Sequence, residues 1–183
     1  MNPDGAALKQ LTRGPGEWFP QFTPDGKWLI YQALASGRQD RLLWKAPLDG
    51  GPPAQLTDRP SYAPVISPDG KLIACNYRNE AGAPIGMAVI PIEGGPPLKI
   101  FDLPGDPFRP IRWTPDGRAL AYIETRDGVS NIWSQPLAGG MPKPLTGFKT
   151  QSIYNFAWSR DGRRLALSRG ESINDVALIS ALR

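Results

Sequence analysis

Apolar and polar positions alternate in short runs along this chain, and the runs recur. Between Trp18 and Thr23 apolar and mixed residues trade places one by one, the pattern of a strand with one buried face. Pro24-Asp25-Gly26 interrupts it with turn chemistry. Proline presets φ at the second turn position, aspartate tolerates the third, and glycine accepts the positive φ that follows. A hairpin with a type I turn and a glycine bulge is predicted there. A second strand, Lys27 to Tyr31, comes next, then the loop Ala35-Ser36-Gly37-Arg38 and a third strand at Leu42-Leu43-Trp44. The turn Asp49-Gly50-Gly51 leads to a short fourth strand at Gln55-Leu56-Thr57.

The same succession returns three times. Phe22-Thr23-Pro24-Asp25-Gly26-Lys27 is repeated as Ile66-Ser67-Pro68-Asp69-Gly70-Lys71, Trp113-Thr114-Pro115-Asp116-Gly117-Arg118 and Trp158-Ser159-Arg160-Asp161-Gly162-Arg163. The aspartates at 25, 69, 116 and 161 are 44, 47 and 45 residues apart. The double-glycine turn recurs at Gly94-Gly95 and Gly139-Gly140. A four-stranded antiparallel unit with this period predicts an all-β chain, a β-propeller built from four four-stranded antiparallel blades. The blades are expected at about 17–57, 61–101, 108–146 and 153–179 of a single domain, 1–183, preceded by a strand at 8–12. Gln10-Leu11-Thr12 repeats Gln55-Leu56-Thr57. If Leu8 to Thr12 pairs with Val176 to Ile179, the blades close into a small ring; otherwise they form part of a larger propeller. The ring predicts a monomer, the partial propeller self-association through open edges.

Composition narrows the chemistry. Proline and glycine, 21 and 20 of 183 residues, leave no room for long helices, and 40% apolar residues suffice for a core. The net charge of +4 invites a nucleic-acid reading, but lysine and arginine are scattered among acids instead of clustered, so no nucleic-acid partner is expected. The chain has no histidine, which removes the usual neutral-pH base, the commonest metal ligand and any Ser-His-Asp arrangement. Its one cysteine, Cys75, shares a repeat slot with Tyr31, Tyr122 and Leu167 and reads as a small buried apolar residue. No catalytic residue, metal or cofactor is expected. The start of the chain lacks a signal pattern and no stretch approaches a membrane span, so a soluble polypeptide without a membrane segment is expected.

The run Phe/Trp-Ser/Thr-Pro-Asp-Gly-Lys/Arg, with the Gly-Gly turn and a terminal Leu-Thr, resembles the TolB-like, WD-type propeller repeat over nearly the whole chain. The last repeat, with Tyr154-Asn155-Phe156-Ala157-Trp158, Leu165-Ala166-Leu167-Ser168-Arg169-Gly170 and Asp175-Val176-Ala177-Leu178-Ile179, looks like the C-terminal propeller of bacterial serine/threonine protein kinases. That resemblance implies an interaction or ligand-sensing module, periplasmic or extracytoplasmic, at the sensor end of a receptor-like kinase. Similar repeats gate substrate entry in prolyl-oligopeptidase-like hydrolases, which is the alternative. No glycine-rich phosphate loop or Gly-x-Ser-x-Gly elbow is present, since Gly170-Glu171-Ser172-Ile173-Asn174 ends in asparagine. Kinase and peptidase activity are therefore not carried over.

Three groups of residues could be mistaken for, or could form, a site. Asp25, Asp69, Asp116 and Asp161, with Gly26, Gly70, Gly117 and Gly162, recur once per blade and read as turn formers set in different blades, not as acid–base or metal carboxylates. The six tryptophans share slots with aliphatic residues and read as packing between blades. Trp18, Tyr62, Arg109 and Tyr154 each stand four residues before the slot held by Phe22, Ile66, Trp113 and Trp158. By the resemblance they would ring the mouth of a central channel, joined by the loop arginines Arg38, Arg78, Arg126 and Arg169, with Arg13 and Arg59. Aromatic faces beside guanidinium groups suit a protein, a peptide or a small anionic ligand. The competing reading is a solvated loop face on which Asp40, Asp58, Asp106, Glu80 and Glu171 mix with the arginines.

Overall fold

A computed structural model of the protein describes residues 9–14, 16–34, 40–79, 85–102 and 109–171. The strands β1 (Glu17–Phe22), β2 (Trp28–Leu34), β3 (Arg41–Pro47) and β4 (Ala54–Gln55) form one sheet in that order. A second sheet holds β5 (Ser61–Ile66), β6 (Leu72–Tyr77), β7 (Gly86–Pro91) and β8 (Lys99–Phe101). A third holds β9 (Ile111–Trp113), β10 (Ala119–Arg126), β11 (Val129–Pro136) and β12 (Lys143–Pro144). The fourth contains β13 (Ser152–Trp158) and β14 (Leu165–Gly170). All pairings are antiparallel between neighbours in sequence. No helix occurs among the described residues. The chain is all-β, a series of propeller blades. The loop Ala35 to Arg38, the third strand expected at Val176 to Leu178 and the pairing of Leu8 with the Val176–Ile179 run lie outside the described residues.

The repeated hydroxyl-x-Asp-Gly run closes each β1–β2-type hairpin by one set of bonds. Gly70 N–H donates to Ser67 O at 2.9 Å, making the turn, and Gly70 enters the left-handed region at φ 73°. Asp69 Oδ1 accepts from Ser67 Oγ at 2.6 Å and from the Lys71 N–H at 3.1 Å, while Leu72 N–H donates to Ser67 Oγ at 2.9 Å. The same bonds hold the turns of Asp116 and Asp161, and Thr23 Oγ1 donates to Asp25. Hydroxyl and backbone donors hold all four carboxyls below their ordinary value of 3.8, the hydroxyl bond acting most strongly.

Successive turns stack on one another, although their one-per-blade spacing suggested separate positions. A methyl group added at Gly70 would stand 3.1 Å from Pro24 Cδ, at Gly117 3.6 Å from Pro68 Cδ, and at Gly162 2.5 Å from Pro115 Cβ. From the second turn onward, the glycine is thus roofed by the proline of the turn before. Each carboxylate meanwhile bonds within its own turn.

Between blades the core is laid down in slices. Ile30, Leu43 and Leu56 of the first blade meet Ile73, Cys75, Tyr77, Ala88 and Ile90 of the second. Ala74, Met87 and Val89 on the opposite face of the second meet Ile111, Trp113, Leu120 and Tyr122 of the third. Ala121, Ile123 and Ile132 of the third meet Ile153 and Phe156 of the fourth. Strand alternation makes this possible, because residues i and i+1 of one central strand face different neighbours. Trp113 Nε1–H also donates to Val65 O of the preceding blade at 2.9 Å. Buried Lys45 crosses from the first blade to Glu93 of the second at 2.7 Å, its ammonium 4.3 Å from the Trp28 ring centre. Cys75 is fully buried and desolvation pushes its thiol up to about 12, so it packs and does not react.

Leu11 packs on the remaining face of the first blade, against Leu29, Tyr31, Ala33 and Ala46. Its repeat counterpart Leu56 packs in the same manner on the second blade. In the first and third blades a Leu-Thr pair follows the outer strand and adds a side-chain rung: Leu43 N–H donates to Thr57 Oγ1 at 3.0 Å and Ile132 N–H to Thr146 Oγ1 at 2.9 Å.

Candidate binding channel

The innermost strand of a blade pairs on one side only, so its backbone can depart from ideal pleating at less cost than a central strand. The register slips between Trp18 and Gln21 in β1, between Tyr62 and Val65 in β5, and between Ile153 and Asn155 in β13. At two of these bulges a non-glycine residue sits in the left-handed region, Phe19 at φ 53° and Ala63 at φ 49°. Such bulges bend a strand and re-aim its side chains.

The re-aimed residues converge on one cavity of about 490 Å³ to which the first-strand segment of every blade contributes. The first blade supplies Phe19 and Gln21, the second Ala63 to Ile66. Arg109, Pro110 and Arg112 come from the third, Tyr154 and Asn155 from the fourth. Two guanidinium groups thus share the described lining. Arg109 ties two blades together by donating from Nη1 to Ile153 O at 3.1 Å. Arg112 is half-buried, donates from Nη1 to Ile111 O at 3.0 Å, and is held below the usual guanidinium value by desolvation, though it stays charged at any physiological pH. Asn155 accepts the Phe156 N–H on Oδ1 at 2.8 Å. Phe19 and Tyr154 offer aromatic faces, Tyr154 being 51% exposed.

Of the residues singled out from the sequence, Arg109 and Tyr154 line this cavity and Trp18 and Tyr62 do not. The Trp18 ring lies under the Arg41 guanidinium, 4.1 Å from its centre. The described loop arginines make contacts of their own outside the lining named above. Arg126 bonds Glu124 at 2.8 Å and lies over Trp133, while Arg169 donates to Thr150 O at 2.8 Å and lies over Phe148. Arg78 N–H donates to Pro60 O at 3.0 Å, Arg59 borders a separate cavity with Tyr77, Arg13 is exposed, and Arg38 lies outside the described residues. Phe19, Gln21, Pro110, Arg112 and Asn155 were not singled out. Parity could have found them. One and three steps back from the slots of Phe22 and Trp113 stand Gln21, Phe19, Arg112 and Pro110, although Arg109 and Tyr154, four steps back, line the cavity too.

Chemically, the lining offers charge, hydrogen bonds and flat apolar surface. Among the described residues no group of three His, Cys, Asp or Glu side chains could hold a metal ion. The arrangement is a candidate channel lined by the first-strand segments of the propeller blades.

No family model matches the chain. It is 31% identical over 133 residues to an uncharacterised protein of Agrobacterium fabrum, covering 69% of this chain and 42% of that protein. A tricorn protease homolog of Streptomyces coelicolor is 40% identical over 57 residues, 31% of this chain and 5% of the homolog. Among solved structures, a protein assigned to TolB from Agrobacterium tumefaciens superposes with a TM-score of 0.63 at 28% identity, over 81% of this chain and 52% of that one. TolB from Acinetobacter baumannii superposes at 0.65 with 24% identity, over 83% and 37% of the two chains, and a prolyl endopeptidase at 0.61 with 17%, over 84% and 26%. The chain therefore spans about half or less of the length of the proteins it matches. These likenesses place it with TolB-like and prolyl-peptidase propellers in fold.

Proposed function

We propose that this chain is a non-catalytic interaction module that takes a segment of a protein or peptide into its channel. The observation that carries the reading is the convergence of segments from all four blades on one cavity, with polar and aromatic groups interspersed. Strand-lined sites of this kind hold their ligands by hydrogen bonding and aromatic contact without making bonds. The similarity to a TolB-type propeller supports it. Selection of a displayed random-peptide library against the purified chain tests it. Enriched peptides should protect the backbone amides of Phe19, Tyr154 and Asn155 from hydrogen exchange. Failure to enrich, or protection confined to other surfaces, would overturn it.

A second reading is favoured by the local similarity to a tricorn protease homolog and the fold shared with a prolyl endopeptidase. In it the channel filters substrate for a hydrolase domain of the same polypeptide. An α/β-hydrolase in the adjoining reading frame supports that role. A kinase domain with a membrane span there supports instead the sensor role suggested by the Tyr154 to Ile179 motifs.

A further inference from the structure

We infer that segment 9–14, seated on the outward face of the first blade, is exchangeable: the socket that holds Leu11 also takes Leu11 of a second copy of this chain. That socket shares no residue with the channel lining named above, so the inference goes beyond the peptide-binding reading and does not depend on it.

One leucine socket occurs twice in the molecule. Leu11 packs against Leu29, Tyr31, Ala33 and Ala46, with Trp44 and Leu48 partly buried beside them. Leu56 packs in a cluster with Ile73, Cys75, Tyr77, Ala88 and Ile90, with Ile92 partly buried beside them. Each of these six walls of the second socket stands 44 residues after its counterpart in the first. The occupants correspond too, as Gln10-Leu11-Thr12 and Gln55-Leu56-Thr57. Neither leucine belongs to the sheet that receives it. The fit is therefore the docking of one segment on the face of a blade, not pairing within a sheet.

The two leucines are fastened differently. Leu56 donates its N–H to Leu43 O at 2.8 Å within its own blade and accepts the Gly95 N–H at 3.1 Å from the next. It is thereby fixed by backbone on both sides. Around Leu11, which is only partly buried, side chains supply the bonds. Lys9 Nζ donates to Leu48 O at 2.8 Å, Gly14 N–H donates to Glu17 Oε1 at 3.1 Å, and Thr12 Oγ1 donates to Glu17 Oε2. Glu17 thus folds the segment back onto its own blade. Contacts made by exposed side chains over little buried apolar surface belong to the least stable part of a fold. Once the Glu17 bonds open, the segment extends and meets the same six walls on another molecule. A second copy is the occupant because every copy carries one such socket and one matching segment. Reciprocal exchange leaves each socket filled.

Sedimentation of the whole chain over a series from micromolar to millimolar concentration tests the exchange. The wild type should form a dimer that grows with concentration. Glu17→Ala removes the fold-back bonds and should raise the dimer association constant about tenfold. Leu11→Asp, with its melting temperature checked, should stay monomeric alone. It should still pair with fluorescently labelled wild type, whose leucine fills its socket. If Leu11→Asp does not fold, Leu11→Ala takes its place and should weaken the dimer at least about tenfold. Monomers at every concentration in both wild type and Glu17→Ala would overturn the inference. So would a dimer that the Leu11 variants leave unchanged, because it would lie on another surface, or equal constants for wild type and Glu17→Ala.

Discussion

The interface between the second and third blades and the outward face of the first blade are built from the same repeat slots, and they could hardly differ more in environment. Trp113, in the interface, is 6% exposed and bonds Val65 across it; Phe22, in the same slot of the first blade, is 65% exposed. Gly162 has Pro115 pressed against it, whereas a methyl group at Gly26 would meet nothing. Leu56 is 4% exposed under the second blade, and Leu11, its counterpart, is only partly covered. The local sequence of a blade thus sets its hairpins, but the energy of a slot comes from its neighbour. A propeller repeat is an unfinished object until another blade lies against it.

Substitutions in matched pairs should break or sharpen that contrast. Replacing Trp113 with alanine removes a buried ring and its hydrogen bond, and urea unfolding should register a loss of about 3–5 kcal/mol. The same change at Phe22 should stay within about 0.5 kcal/mol. Equal losses would mean that the first blade's face is covered as fully as an internal one. Leu56→Ala should cost about 2–4 kcal/mol and Leu11→Ala clearly less, since Leu11 has less contact to lose. Gly162→Ala adds a clash with Pro115 to the left-handed backbone penalty, and a drop of about 2–4 kcal/mol is expected. Gly26→Ala should show only the backbone part, about 1–2 kcal/mol, by the same melting or urea experiment.

The smallest effect concerns acid. The four turn carboxyls have folded pKa values below the ordinary 3.8, so the unfolded chain binds protons that the folded chain does not. Their contribution is present above the ordinary carboxylate range and is lost as pH falls through the lowered folded values. The urea midpoint should be flat from neutral pH to about pH 5 and decline below about pH 4. Because these groups face solvent, the decline should be shallow, and Asp161→Asn, which keeps the acceptor, should make it shallower still. A midpoint rising on acidification would contradict the turn geometry.

The strands and turns could be read from residues because their signals are local. Pro68-Asp69-Gly70 carries its turn in three residues, and the period of alternation in Leu72 to Tyr77 declares a strand without reference to any other. Burial at the Trp113 slot was also readable, from slot sharing with Ile66. The channel was harder. Its lining depends on bulges at Phe19 and Ala63, residues with no intrinsic preference for positive φ, in first strands that have one bonded neighbour. Nor does the lining slot keep one chemistry: Gln21, Val65 and Arg112 occupy it in the first three blades. A feature made of unlike residues from four blades leaves a trace in strand parity but none in residue type.

The stacking of turns carries one more implication. Proline always meets the glycine of the following hairpin, so each blade has a donor side and an acceptor side that are not alike. Contacts of that kind are polar in the directional sense: they propagate and cannot pair a surface with itself. Two molecules meeting through these faces would therefore line up nose to tail, each extending the other's curve, instead of forming a dimer about a two-fold axis.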